Sequence, residues 1–208
     1  QEGITLVLGD KVTGVRSEGG MKQVSTESGK TITAEEILVS AGRKPNIEEL
    51  DLGRAGVRTG KGSIEIDDKL RTNIRSVHAA GDVTGKMLFT HVAEYQGRLL
   101  TGNLLFPIKR KASYQNVSWA TYLDPEVGHL GWTEAEARSR VPNLKVLRYS
   151  MADLDRAITE RQPVGFIKLL ATPKGKLVGG HIVGPNAGEL IQVIQLAMSN
   201  GIPVGKLS

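Results

Sequence analysis

Between Ile4 and Ser40 the chain runs in short β-rich stretches, ITLVLG, KVTGVRSE, KQVSTES and ILVSAG, with turn signals at Gly9-Asp10, Gly19-Gly20 and Ser28-Gly29. This pattern predicts a meander of strands. Ile37-Leu38-Val39 is nearly continuous apolar, as in a strand covered on both faces, and the first strand starts almost at residue one, so the chain reads as beginning mid-domain. Ala41-Gly42-Arg43-Lys44-Pro45-Asn46 then breaks all periodicity and is read as a crossover between domains.

From Ile47 to about Ala112 the pattern predicts a short helical turn, strands near Ile64-Glu65-Ile66 and Val77-His78-Ala79, and a helix from Thr90. On that helix Val92, Ala93, Gln96, Leu99, Leu100, Asn103 and Leu104 share one stripe at spacings of three and four. From Gln115 onward, strand patterns (VSWATY, VGHLGW, LKVLRY, GFIKLLA, LVGGHIVG) alternate with two helices. Thr133 with Glu136 spells a capping box, and Asn186 with Glu189 gives a similar helix start. That second helix carries the apolar stripe Leu190, Ile191, Ile194, Ala197 and Met198, with Gly201 as C-cap, and Pro173-Lys174-Gly175 reads as a hairpin turn. The expected fold of this third block is α+β, one antiparallel sheet with helices on one face.

Composition narrows the chemistry. Cysteine is absent, which removes disulfides, thiolate metal sites and thiol nucleophiles from these 208 residues. His78, His91, His129 and His181 are far apart in sequence, so metal chemistry has no support. The net charge is +5, but the basic residues are scattered. Their densest cluster, Lys109-Arg110-Lys111, reads as a solvated loop rather than a nucleic-acid stripe, because it lacks interleaved aromatics. No apolar run approaches the roughly 18 residues of a membrane span. Without a signal-peptide pattern at Gln1-Glu2-Gly3, the expectation is a soluble, cytoplasmic chain with neither membrane nor nucleic acid as partner.

The sharpest constellation runs from Thr72 to Asp82 (TNIRSVHAAGD). Small residues let a ligand approach the backbone, and an Asp at a strand end accepts hydrogen bonds from a polyol. Eight residues later the helix start at Thr90 offers unpaired N–H groups and about half a positive charge. Read without further context, the same residues also make an ordinary turn followed by a helix start. The segment resembles the second flavin-binding motif of the class I pyridine nucleotide–disulfide oxidoreductases, the family that includes dihydrolipoamide dehydrogenase and mercuric reductase. Val39 to Asn46 (VSAGRKPN) is similar to that family's junction leaving the nicotinamide domain, and Leu88 to Glu94 (LFTHVAE) to its flavin-facing helix start. Tyr122 to Gly128 (YLDPEVG), Gly131 to Glu134 (GWTE), Asp155 to Ala157 (DRA), and Gly179 to Ile191 (GGHIVGPNAGELI) resemble its dimerisation domain.

The resemblance implies three parts. Residues 1–42 would be the end of an NAD(P)-binding domain, 43–112 the second segment of an FAD-binding domain, and 113–208 a dimerisation domain truncated at its C-terminus. The implied fold is thus α/β and α+β, a partial FAD/NAD(P)-binding region followed by the α+β domain. The implied cofactor-binding residues are Gly42 near the nicotinamide, Gly81 and Asp82 at the flavin ribityl chain, and Leu88, Phe89, Thr90, His91 and Ala93 beside the isoalloxazine. The implied cofactors are FAD and NAD(P)H, and the implied partner is a second copy in a homodimer. The implied reaction passes a hydride from NAD(P)H through the flavin to a disulfide or a small-molecule acceptor. No residue is expected to be catalytic here, because the family's redox cysteines, both Gly-rich phosphate loops and its C-terminal histidine segment have no counterpart in the sequence. An inactive fragment is therefore expected, with weak flavin binding. The alternative is a non-catalytic association module, in which the Leu190, Ile191, Ile194, Met198 stripe faces a partner instead of its own sheet.

Overall fold

A computed structural model describes residues 3–207, and the chain divides into two units, residues 1–44 and 45–208. The first is an antiparallel meander of β1 (Val12–Glu18), β2 (Met21–Thr26) and β3 (Thr31–Ala34), paired in sequence order. The expected outer strands do not form. Residues 4–9 and 37–39 join no ladder, and Leu38 and Val39 are 92% and 80% exposed. An apolar run makes a strand only when another backbone takes up its N–H and C=O groups, and none does so among the described residues.

In the second unit a short turn at Glu48–Leu50 leads to a two-residue hairpin, β4 (Thr59–Gly60) and β5 (Ser63–Ile64). The strand expected near 64–66 is therefore shorter. The one expected at 77–79 reduces to a single bridge between Arg71 and His78. The cause is local: the Thr72 hydroxyl donates to the carbonyls of Ile74 and Val77, and the Thr72 amide also donates to Val77 O, closing a tight turn where a ladder would run. Val57, Ile64 and Ala79 form a small core beneath this turn. Helix α1 (Thr90–Leu105) starts where its pattern predicts, and its buried positions Val92, Gln96 and Asn103 lie on the expected stripe, whereas Leu104 is exposed.

The remainder is a five-stranded antiparallel sheet of β6 (Ser118–Thr121), β7 (Val127–Gly131), β8 (Lys145–Ser150), β9 (Phe166–Ala171) and β10 (Leu177–Val183), in spatial order β6-β7-β10-β9-β8. Helix α2 (Glu134–Arg140) begins with the expected capping box, α3 (Asp155–Thr159) is a short turn, and α4 is Ala187–Ser199. The expected helical layer on one face is α4. It packs Ile191, Ile194 and Ala197 onto Leu130, Leu177 and Ile182, and it comes so close to β7 that a Cβ on Gly128 would lie 2.7 Å from the Ala187 carbonyl. The short α2 lies against the opposite face through Ala137, Leu170 and Val178, since successive strand residues such as Leu169 and Leu170 point to opposite sides.

Asn186 does not cap α4. It sits in the left-handed region (φ 57°) with no side-chain cap, and the carboxylate of Glu126, at the end of the β6–β7 connection, instead accepts the Gly188 amide at 3.0 Å. A carboxylate at a helix start is favoured by the orphan amides and the dipole. Among the described residues no helix is long and apolar enough to cross a membrane.

Candidate functional site

The candidate site is built on the turn from Leu70 to Gly85 and the first two turns of α1. Gly81 adopts φ +84°, a conformation L side chains rarely adopt, while a Cβ there would make only ordinary contact with the Cβ of Ala93 at 3.4 Å, so the backbone turn rather than lack of space selects glycine. The Gly81 amide donates to Gln96 Oε1 at 2.6 Å, and Gln96 Nε2 donates to the Tyr114 hydroxyl at 2.9 Å. Gln96 is fully buried, and burial also pushes the Tyr114 phenol up, against the effect of its bond from Gln96. On the far side of the turn the Thr84 hydroxyl and amide both donate to Gly81 O. Asp82, next in the chain, opens a one-turn 3-10 helix, and its carboxylate is exposed with no hydrogen bond or ion pair among the described residues.

The start of α1 is open as well. Phe89 occupies the N-cap position with no side-chain cap, and the amides of Thr90 and His91 find no backbone acceptor among the described residues. Leu88 and Phe89 are half-buried, Thr90 and His91 exposed, and Ala93 half-buried under Gly81. Seven of the eight expected cofactor residues thus lie on one turn and the helix start it packs against. The eighth, Gly42, belongs to the first unit, where it is exposed, has φ +117° and has no atom within 4 Å of where a Cβ would stand. Among the described residues no group of three or more His, Asp or Glu side chains is arranged to hold a metal.

Sequence reading missed two features. One is Gln96, read as a stripe position although its side chain pins the turn 15 residues upstream. The other is a row of rings leading away from Phe89. Phe89 stacks on His91 (5.4 Å between centroids) and on Trp119 (5.6 Å), Trp119 on His129 (4.0 Å), and His129 lies 4.7 Å from His181. Trp119, His129 and His181 are cross-strand partners, and the row continues through Lys168 to Arg148. Each imidazole bonds through Nε2 to a carbonyl of the turn before α2, His129 to Gly131 O and His181 to Trp132 O. A carbonyl only accepts, so Nε2 carries the proton in both. Only strand pairing brings these residues together, and no local motif announces it.

Comparison with known proteins places the chain in a family. Residues 1–97 match the family model of pyridine nucleotide-disulphide oxidoreductases and residues 117–208 that of the family's dimerisation domain. The chain belongs to the pyridine nucleotide-disulphide oxidoreductase family. It is 36% identical over 212 residues to a mercuric reductase of Bacillus cereus, matching all of this chain and 34% of that protein. To a dihydrolipoyl dehydrogenase of Corynebacterium glutamicum it is 33% identical, over 99% of this chain and 46% of that one. The crystal structure of LpdA from Mycobacterium tuberculosis superposes with a TM-score of 0.88 at 27% identity, covering 99% of this chain and 45% of LpdA. The Cu(II) complex of RclA, an HOCl-induced flavoprotein disulfide reductase of Escherichia coli, superposes with a TM-score of 0.84 at 25% identity, covering 92% of this chain and 44% of that one. The chain therefore spans between a third and a half of the length of these relatives. Family membership and the mixed α/β fold agree with the resemblance read from the sequence.

The ring row makes stability depend on pH. Burial holds His129 below the ordinary imidazole value of 6.5; His181 is held below it by burial and then by the neighbouring His129. The folded state favours two neutral rings, whereas the unfolded chain takes up protons near its ordinary value, so stability is full above about pH 6.5 and is lost as pH falls below it. Melting temperatures measured from neutral pH down to about pH 5 should fall in the wild type and fall less in a His129→Gln/His181→Gln variant. Equal slopes in the two proteins contradict this assignment.

Proposed function

We propose that this chain supplies the second flavin-binding segment and the dimerisation domain of an FAD-dependent NAD(P)H oxidoreductase acting on a disulfide or related acceptor. The observation that carries the reading is the unpaired, exposed carboxylate of Asp82 on a turn held against the open start of α1. The residues suit the group. A carboxylate with all its acceptor sites free matches the hydroxyls of a ribityl chain, and two orphan amides at a helix start match the electron-rich end of a flavin ring. In this reading Asp82 anchors the polyol, and Gly81, lacking a side chain, leaves the approach open. Leu88 and Phe89 give the ring an apolar wall that excludes water, and the Thr90 and His91 amides orient it through their dipoles, with Ala93 keeping the turn seated. Gly42, in the first unit, would serve the nicotinamide cofactor. When bound, FAD supplies the capacity to take a hydride from NAD(P)H and pass electrons on, a chemistry that belongs to the cofactor.

The chain holds no cysteine and no Gly-rich phosphate loop, so its own residues neither exchange thiols nor cradle a dinucleotide's phosphates. Accordingly, the purified 208-residue chain should be colourless, and with added FAD it should show no NAD(P)H oxidation coupled to a dye. At high flavin mononucleotide concentration, amide chemical shifts should move at Gly81, Asp82, Thr90 and His91, and these changes should vanish in Asp82→Ala. Shifts mapping elsewhere, or surviving that substitution, refute the site.

A second reading, association of two copies, is favoured by the outer face of α4. The stripe first considered for a partner is mostly core, since Ile191, Ile194 and Ala197 are buried against the sheet and Met198 packs beside them. Val193 and Leu196 stay 58% and 64% exposed, with Leu190 partly so on the same side. We assign the homodimer contact to these three residues. Light scattering should give a dimer that Leu196→Glu converts to a monomer; a wild-type monomer at high concentration excludes the contact.

A further inference from the structure

The stretch from Ser113 to Ser118, which leads from the flavin-site segment into β6, is tied to a helix on either side. Toward α1, the Ser113 amide donates to the Tyr95 hydroxyl at 2.9 Å, and the Tyr114 ring stands edge-on to Tyr95 with 6.3 Å between centroids. The Tyr114 hydroxyl accepts from Gln96 Nε2. Toward α4, Gln195 donates through Nε2 to Asn116 O at 2.8 Å and accepts the hydroxyl of the buried Ser118 at 3.0 Å. The Ser118 oxygen also accepts from Gln192 Nε2 at 3.3 Å, and Asn116 Nδ2 donates to the Ser199 hydroxyl at 3.2 Å. Between the two helices lies a cavity of about 270 Å³, lined by His91 and Tyr95 of α1 and by Gln195 of α4. This stretch therefore carries the hydrogen-bonded connection between them.

A glutamine amide has two ends of nearly the same shape, and its partners decide how it faces. The Gly81 amide only donates, so it requires Oε1. Nε2 is then left facing the other way, and because Gln96 is fully buried, that end needs an acceptor from the protein. The Tyr114 hydroxyl is that acceptor. Without it, the arrangement that satisfies Gly81 leaves a buried donor unpaired, and the reversed amide sets donor against donor at Gly81.

We infer that Tyr114 and Gln195 are positioning residues of the candidate flavin site. Gln195 ties Asn116 to α4, the backbone from Asn116 to Tyr114 sets the hydroxyl against Gln96, and Gln96 holds Gly81 and with it Asp82. The seating of α4 on the sheet thus reaches the carboxylate through a contiguous polar path. The inference rests on the flavin reading only for what Asp82 binds.

The test is amide exchange in the full 208-residue chain without flavin, resolved by nuclear magnetic resonance. Tyr114→Phe keeps the ring beside Tyr95 and removes the acceptor, and exchange at Gly81 should quicken about tenfold. Gln195→Leu, further back along the path, should quicken it about threefold. In a Gln96→Leu background, Tyr114→Phe should change Gly81 no further, whereas a tyrosine that merely supports the fold would add its effect there too. Amides of β7 and β10 should keep wild-type exchange in all of these variants. Unchanged Gly81 exchange in Tyr114→Phe or in Gln195→Leu overturns the inference. So do additive effects with Gln96→Leu, and so does a loss of protection spread evenly over the turn, β7 and β10. Titration with flavin mononucleotide separates this result from the flavin reading. Tyr114→Phe should weaken binding about threefold, and equal binding by the two proteins overturns the positioning role. A wild-type chain that binds none refutes the flavin site, and the exchange rates then decide the path by themselves.

Discussion

The contact on which the candidate site depends is the hydrogen bond from the Gly81 amide to the buried side-chain carbonyl of Gln96. A buried donor left without an acceptor costs about 1–3 kcal/mol, and Gln96 removes that cost at the one residue whose φ of +84° turns the chain toward α1. The same glutamine donates its amide group to Tyr114, so both ends of its side chain are committed and its position is fixed. Asp82 inherits that rigidity. Its carboxylate stays in solvent and unpaired because the backbone beneath it is held from both sides, by Gln96 on the amide of Gly81 and by Thr84 on the carbonyl.

The sheet supplies the frame against which this turn and helix are placed. Its α4 face is a dry aliphatic core centred on Leu130, Ile182 and Ile191, whereas the opposite face carries a polar and aromatic row from Arg148 to Trp119. Through Phe89 that row reaches the start of α1. The ring contacts thus tie the helix start to the sheet, and the helix in turn carries Gln96. Charge uptake by the two imidazoles in the row is opposed first by their burial and, for His181, next by the neighbouring His129.

How much of this is legible in the sequence follows from how local each feature is. The five strands of the sheet fall in β-rich runs separated by turn or helix signals, and the α2 capping box lies within four residues, so all are readable. The unit at 1–44 promises more strands than it forms, because ITLVLG and ILVSAG have strand composition but no partner backbone, and composition cannot supply one. The Val77 to Ala79 strand fails for the opposite reason, a threonine side chain taking the hydrogen bonds a ladder needs. Asn186 has the residue type of a cap, yet the capping carboxylate is Glu126, 62 residues away from the amide it accepts. The site residues are legible through their resemblance to a family motif. Gln96 and the Trp119, His129, His181 row are not, since their meaning rests on contacts between distant segments.

The most direct measurement is hydrogen exchange at the Gly81 amide, resolved by nuclear magnetic resonance, in the wild type, Gln96→Glu and Gln96→Leu. The amide should be protected in the wild type and in Gln96→Glu. Gln96→Leu should lose about 1–3 kcal/mol of protection at Gly81 and show a shifted Asp82 resonance, while amides of β7 and β10 keep theirs. A Gly81 amide that exchanges freely in the wild type, or one that Gln96→Leu leaves unchanged, would contradict the role given to Gln96.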